Sequence, residues 1–292
     1  MVNAQTLSLQ LGGHWYGSYG VAPCPICQSE RRKGQNALTL SDGESKLLAH
    51  CKKAGCSFHD IAVAAGVRQD TYRPPSLSTI AQNREYTEKS TVRRSLQCKA
   101  LWSEAIPIMG TLGEKYLRNR NITSDLPDTL RFLRNCWHPS GKRIPALIAL
   151  VEGVEEFAIH RTYLQLDGSA KTQASPSKAM LGKVSGGAVR LTSRGNSLVV
   201  TEGIETALSL SSGLLDFPAT IWAALSTSGL QGLKLPETAS NLIIASDGDA
   251  EGRKAAYKLA LRAEMSGWQV SFLDAPEGQD WNDVLNVKGE AT

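Results

Sequence analysis

The chain has 292 residues and a formal net charge of +4, with 41% hydrophobic and 21% charged residues, 26 Gly and 12 Pro. That composition supports a sizeable buried core and excludes disordered or collagen-like chains, and the length suits one large domain or two to three small ones. The longest apolar runs, such as residues 144–151, fall well short of the roughly 18 residues that span a bilayer, and no basic-then-apolar leader opens the sequence, so a cytoplasmic protein is expected rather than a membrane or secreted one.

The charge is unevenly spread. Residues 1–140 carry 18 Lys+Arg against 11 Asp+Glu, whereas residues 141–292 carry 14 against 17. A basic front suits a polyanion such as nucleic acid and an acidic back suits divalent cations, although two ordinarily solvated surfaces would carry the same counts.

In chain order, the first strong signal is cysteine. Cys24-Pro25-Ile26-Cys27 and Cys51-Lys52-Lys53-Ala54-Gly55-Cys56 gather four of the six cysteines within 33 residues. Two short-spaced pairs without an export signal read as metal binding rather than disulfides. Zn²⁺ takes four thiolates in a tetrahedron at about 2.3 Å and leaves no position open, so this site is expected to be structural. Residues 36–40 and 46–50 read as short strands joined at Ser41-Asp42-Gly43, a β-ribbon around the ion. His50 and His59 lie nearby, but the cysteines already complete the shell. His14, Trp15, Tyr16 and Tyr19 before the ribbon, with Arg31, Arg32, Lys33, Lys52 and Lys53 on it, combine stacking and charge as single-stranded nucleic acid requires. Trp15 and Tyr16 serve equally well as packing for the ribbon's small core.

Residues 60–66 read as a short helix stopped by Gly66. Residues 67–97 hold Pro74-Pro75, several Ser and Thr and few large apolar side chains, the composition of a flexible linker. The expected organisation is a zinc ribbon at 1–66, a linker at 67–97, a mixed α+β segment with a basic groove at 98–195 and a parallel-sheet α/β domain at 196–292.

Helical patterns recur at 99–106 and 112–120, and strands at 144–151 and 156–165, with a turn at Asp167-Gly168. The loop expected beyond it carries Lys171, Lys178, Lys183 and Arg190; with Arg143 and Arg161 these cations suit a groove for phosphates, or a solvated surface.

At the back, the β-branched run 197–201 delivers Glu202, and Gly203 opens a helix to about 212. A second run, 241–246, delivers Asp247-Gly248-Asp249 and a helix over 250–266 stopped by Gly267. Residues 220–224 and 268–273 supply two further strands. Such alternation predicts a parallel sheet with ligands beyond the carboxyl ends of its strands, which brings Glu202, Asp247 and Asp249 to one edge. Three carboxylates repel one another unless cations sit among them; hard oxygen ligands favour Mg²⁺ or Mn²⁺, the ions of phosphoryl transfer.

Thr201-Glu202-Gly203-Ile204-Glu205-Thr206-Ala207-Leu208, together with Ser246-Asp247-Gly248-Asp249-Ala250-Glu251-Gly252-Arg253, resembles the Toprim domain shared by bacterial-type primases, topoisomerases and some nucleases. With the ribbon in front, and with Gly113-Glu114-Lys115-Tyr116-Leu117, His160-Arg161-Thr162-Tyr163-Leu164, Gly186-Gly187-Ala188-Val189-Arg190-Leu191 and Gly278-Gln279-Asp280-Trp281-Asn282-Asp283, nearly the whole chain resembles the Toprim primases of phages, plasmids and integrated elements. The resemblance implies a DNA primase, a nucleotidyltransferase making short RNA primers on single-stranded DNA from ribonucleoside triphosphates. It implies Glu202, Asp247 and Asp249 as catalytic Mg²⁺ or Mn²⁺ ligands and Asp280 as an outer ligand, with Asp283 less certain. Arg143, Arg161, Lys171, Lys178 and Lys183 would contact template, primer or nucleotide. It also implies a bacterial or phage-infected cell and a separate helicase, since no Gly-x₄-Gly-Lys-Ser/Thr motif occurs.

The chain departs from the family pattern twice. Its second cysteine pair is Cys-x₄-Cys, where replicative primases commonly use Cys-x₂-Cys and a histidine ligand; zinc binding survives that change. Glu205 replaces an aspartate that often lies one residue on, where Thr206 stands, which leaves its role open, a solvent-facing position on the helix being one reading. A Toprim nuclease and a non-catalytic nucleic-acid-binding accessory are the alternatives. Cys98 and Cys136 are expected to be buried free thiols.

Overall fold

The computed structural model describes residues 2–30, 36–43, 46–67, 72 and 75–290. Arg31, Arg32, Lys33 and Pro74, singled out above, lie outside the described residues. The chain divides into two compact units, residues 1–92 and 93–292.

The first unit opens on helix α1 (Ala4–Gln10), where Asn3 and Thr6 exchange side-chain and backbone hydrogen bonds in a capping box. Strands β1 (His14–Trp15), β2 (Gly20–Ala22), β3 (Leu38–Asp42) and β4 (Leu47–Cys51) then form an antiparallel sheet in chain order. The β3–β4 hairpin turns after Asp42, with the Gly43 amide donating to the Lys46 carbonyl, so Ser41 and Asp42 belong to the strand rather than to the turn. Helix α2 (Phe58–Ala64), capped by Ser57, contributes Ile61 to the core that also holds Leu7, Leu38 and Leu40. This core is small, and Cys24 and Cys51 are part of it.

Helix α3 (Leu77–Glu104) runs for 28 residues and overturns the flexible linker expected through residue 97. Ser76 caps it by accepting from the Thr79 amide, and no Pro or Gly interrupts it. Its exposed apolar side chains, Leu77, Tyr86, Val92 and Leu96, are scattered among polar ones and form no apolar stripe to betray it, and intrinsic propensity together with its cap sustains it. Only its last turns bury side chains, Ser95 and Cys98.

In the second unit, β5 (Ile106–Pro107), β6 (Leu130–Trp137), β7 (Arg143–Val151), β8 (Ala158–Tyr163) and β9 (Lys178–Leu181) form an antiparallel sheet in chain order, with helix α4 (Leu112–Arg118) between β5 and β6. One face buries Cys98, Cys136, Ile148, Ile159 and Tyr163. Cys98 and Cys136 are buried free thiols, as expected. The other face joins Tyr116 and Leu117 of α4 to the main core.

The C-terminal sheet has the order β10 (Val189–Thr192), β12 (Thr220–Ala223), β11 (Ser197–Thr201), β13 (Asn241–Ser246), β14 (Gln269–Asp274). The last four are mutually parallel; β10 pairs antiparallel at one edge. Lys178 and Arg190 therefore lie in β9 and β10, not on a loop. Helix α5 (Ile204–Ser209), continued by a π turn at Leu210–Leu214, and helix α8 (Trp281–Glu290) cover one face. Helices α6 (Thr227–Gly232) and α7 (Ala250–Met265) cover the other, where Ala255, Ala256 and Leu259 meet Leu242 and Ile244. A sheet with helices on both faces, preceded by a mixed α+β segment and a small β-ribbon, is the fold class anticipated.

Candidate active site and metal centres

In the ribbon, the sulfurs of Cys24, Cys27, Cys51 and Cys56 all lie within 4.8 Å of one another, and those of Cys27 and Cys51 are 3.5 Å apart. A tetrahedron with arms of about 2.3 Å has edges of about 3.8 Å, so the thiols fit a single Zn²⁺. The buried Gln28 braces the first knuckle, its carbonyl accepting from the Cys24 and Ala37 amides at 3.0 and 2.9 Å. Burial and the neighbouring thiols push Cys27 up to about 12 and raise Cys56, whereas the amides of Ala54, Cys56 and Lys53 outweigh burial at Cys51 and bring it down to about 6, so the backbone readies Cys51 first as a thiolate. His50 and His59 are exposed and outside the cluster. Trp15 packs on the ribbon core, while Tyr16 and Tyr19 stack at 5.3 Å with Tyr16 exposed.

At the other site, two neighbouring parallel strands end together. Thr201 of β11 lies opposite Ala245 of β13, so Glu202 and Asp247 leave the sheet at adjacent carboxyl ends. The Glu202 carbonyl accepts from the amide of Leu225, a residue held at φ 73° in the left-handed region. Asp249 caps α7 by accepting from the Gly252 amide at 2.6 Å. Asp280 caps α8, accepting from the amides of Asn282 and Asp283, while Asp283 returns the bond to the Asp280 amide. Asp283 is thus a partner in that cap.

Gly248 lets the segment after β14 close over this edge. Its amide donates to the Gln279 carbonyl at 2.8 Å, and a Cβ there would fall 1.9 Å from the Pro276 carbonyl oxygen. That close approach carries Asp280 toward Asp247. Burial, then the charges of Asp280 and Asp249, push the Asp247 carboxyl up to about 6, against a hydrogen bond from the Thr206 hydroxyl at 3.2 Å. Burial, then Asp247 and Asp249, likewise raise Glu202. Crowded carboxylates driven toward their neutral forms are what a cation reverses, and the donors are all hard oxygens. Unlike the thiols, the carboxylates are not gathered within 4.8 Å of one another.

Of the six cations expected to line a groove, two reach this region, and Arg190 instead stacks over Trp222 at 4.7 Å. Lys171 lies 3.2 Å from one carboxylate oxygen of Glu205 and Lys178 2.9 Å from the other, and the charge of Lys178 is felt at both Glu202 and Asp247. Arg161 instead is buried on the opposite sheet face, donating to the Trp137 and Met180 carbonyls. Successive strand residues face opposite ways, and it is His160 that shares a face with Thr162 and Lys178. Arg143 is exposed, stacks over Trp137 at 5.3 Å and donates to the Asn135 carbonyl; Lys183 pairs with the exposed Glu155 at 3.3 Å.

Glu205 does not face solvent. Every residue of α5 is buried, and a carboxylate on such a helix requires counter-charges, here Lys178 and Lys171, which hold it well below the usual carboxylate range against the opposing effect of burial. The Tyr116 hydroxyl donates to it at 2.8 Å. Tyr116, Arg120 and His160 are site neighbours that sequence reasoning left without a role, although Tyr116 and His160 fall in the segments that carry the resemblance.

Residues 197–291 match the Toprim domain, and residues 92–191 match a domain of unknown function (DUF7146). The C-terminal sheet with its carboxylates is thus a Toprim domain. No curated protein matches the chain. Similar solved structures include a DNA primase domain from Pseudomonas aeruginosa, at 17% identity over 67% of this chain and 75% of that one, with a TM-score of 0.41. The Aquifex aeolicus primase, with its zinc-binding and RNA polymerase domains, is similar at 12% identity over 98% and 80%, with a TM-score of 0.40. The primase fragment of the bacteriophage T7 primase-helicase protein is similar at 15% identity over 93% and 95%, with a TM-score of 0.31.

Proposed function

We propose that this chain is a DNA primase that joins ribonucleotides into short primers on single-stranded DNA. The observation that carries the reading is that Glu202, Asp247, Asp249 and Asp280 lie near enough at one edge of a Toprim domain for their charges to act on one another, with the charge of Lys178 acting on Glu202 and Asp247. The four-thiol ribbon in the same chain supports it.

Glu202, Asp247 and Asp249 would hold Mg²⁺ or Mn²⁺, with Asp280 as an outer ligand. When bound, such ions neutralise phosphate oxygens and ease loss of the proton from an attacking hydroxyl. The reaction is attack of a primer 3′ hydroxyl on the α-phosphate of the incoming nucleotide, with pyrophosphate leaving. Lys171 and Lys178 bind phosphate oxygens, and Thr206 fixes the Asp247 carboxylate through its 3.2 Å hydrogen bond. Zn²⁺ is structural; the ribbon binds the template through the stacked Tyr16 and Tyr19 and the cations Lys52 and Lys53. A separate helicase supplies unwinding in the cytoplasm of a bacterial or phage-infected cell, with weak physical association between the two.

The test is incubation of the protein with single-stranded DNA, labelled ribonucleotides and Mg²⁺ or Mn²⁺. Oligoribonucleotides are expected, and are lost in the Asp247→Ala, Asp249→Ala double variant. Absence of product on every template overturns the reading. Nicking of supercoiled DNA without nucleotides would assign the carboxylates to a nuclease, and metal and DNA binding without any turnover would assign an accessory role.

A further inference from the structure

Glu205 has a peculiar geometry for a residue three positions after a candidate metal ligand. Its side chain is 7% exposed, whereas those of the lysines it pairs with are 31% and 36% exposed, so the carboxylate is sealed in while the two lysine side chains remain partly exposed. The two lysines use different oxygens, Lys171 on Oε1 and Lys178 on Oε2, and Tyr116 donates to Oε1 as well. One planar carboxylate, itself held by Tyr116 and by the buried helix α5, therefore sets the distance between two flexible side chains. Lys171 comes from the segment bridged to Leu164 and Lys178 from the start of β9, so nothing local in sequence sets that spacing.

Three cations gather here. Arg120 lies over the Tyr116 ring at 5.8 Å and its charge acts on both lysines, so Glu205 is the one carboxylate paired directly with this group while Glu202 and Asp247 feel Lys178 from the neighbouring edge. Beside them, the buried atoms His160 Nδ1 and Arg120 Nε have no hydrogen-bond partner. Clustered cations next to an edge that would hold divalent ions suit a polyanion of the phosphate class.

We propose that Glu205 is a positioning residue that holds the Lys171 and Lys178 ammonium groups at one spacing to receive the outer phosphates of a nucleoside triphosphate whose α-phosphate lies at the carboxylate edge. The assignment of that substrate rests on the primase reading. Without Glu205 the two ammonium groups repel each other and lose their common anchor, and phosphate binding weakens even though a negative charge has been removed.

The experiment uses the full chain and tripolyphosphate as the probe, by calorimetry, with zinc content and melting temperature as fold checks. Glu205→Gln is expected to weaken tripolyphosphate binding about tenfold, the worth of losing one charge-assisted pair. The nucleotide KM in primer synthesis should rise by a similar factor, while kcat changes less. In a Lys171→Gln, Lys178→Gln background the same substitution should add almost nothing, because its effect runs through the lysines. Glu205→Asp, which keeps the charge, should recover part of the affinity.

Unchanged or tighter tripolyphosphate binding by folded Glu205→Gln overturns the proposal, as does a wild type that does not bind the probe. If Glu205→Gln fails to fold, Tyr116→Phe takes its place, with an expected loss of about threefold and unchanged binding as the overturning result. A wild type that binds tripolyphosphate through Glu205 yet makes no primer sinks the primase reading and leaves the positioning role standing. A wild type that primes while Glu205→Gln is indifferent sinks the positioning role alone.

Discussion

The ribbon thiols stand within 4.8 Å of one another around room for one ion, whereas the Toprim carboxylates are held apart by the caps that Asp249 and Asp280 make on α7 and α8. Cys24 and Cys51 belong to the ribbon's own small core, so metal binding there amounts to folding. The carboxylates sit at the rim of a sheet with a packed core on each face, which folds without their help. A site supported in that way can tolerate mutual repulsion, and the raised carboxyls of Glu202 and Asp247 record it. A closed site therefore stabilises the fold, and an open one holds charge ready for a ligand.

The largest effect should come from the closed site. Zinc chelation, or Cys51→Ser, removes binding energy on the order of 10 kcal/mol from the ribbon and should expose it to protease, while divalent cations still bind the Toprim edge. A ribbon that stays protected after chelation would break the contrast. Next, Asp247→Asn should reduce primer synthesis by about two to three orders of magnitude, as loss of a preorganised charge does. Its melting temperature should hold or rise, because a buried like charge has gone; a large fall would mean that the edge is structural after all.

The same residue sets a pH dependence. The Asp247 carboxyl titrates near 6 in the native chain and near about 3.9 when unfolded. The native state therefore prefers the protonated form, and the destabilisation from its charge is absent below about pH 4, grows as pH rises, and is complete above pH 6. If Asp247 holds Mg²⁺ or Mn²⁺ as proposed, the ion offsets it, and the gain in melting temperature on adding the ion should be larger at pH 7.5 than at pH 5. An equal gain at both values would show that Asp247 is not a ligand.

The smallest effects separate the cations. Arg161→Met should lower stability by about 1–3 kcal/mol through its two lost carbonyl contacts and leave the nucleotide KM alone. Lys183→Ala, whose partner Glu155 is exposed, should change neither quantity. A raised KM in either variant would restore it to the site.

Much of this was legible in the chain. The spacing of Cys24, Cys27, Cys51 and Cys56 announces a four-thiol site because a knuckle is a local turn. The apolar runs before Glu202 and Asp247 announce buried strands, and both β11 and β13 lie where those runs place them. Helix α3 was hidden because its few apolar residues are scattered and leave no periodic trace, and Pro74-Pro75 with the Ser and Thr around it points toward a linker instead. Arg161 and His160 are adjacent in sequence, and nothing local decides which of them faces the carboxylates.

By itself, the sequence determined the metal-binding residue types, the strand ends that carry the carboxylates and the alternation that makes a parallel sheet, because each follows from spacing along the backbone. Only the tertiary structure decided which charges meet. Glu205 is joined by Tyr116, 89 residues before it, and by Lys178, 27 residues before it. Those partners are chosen by the packing of α4, β9 and the buried helix α5, and a carboxylate takes its role from what surrounds it once water is excluded.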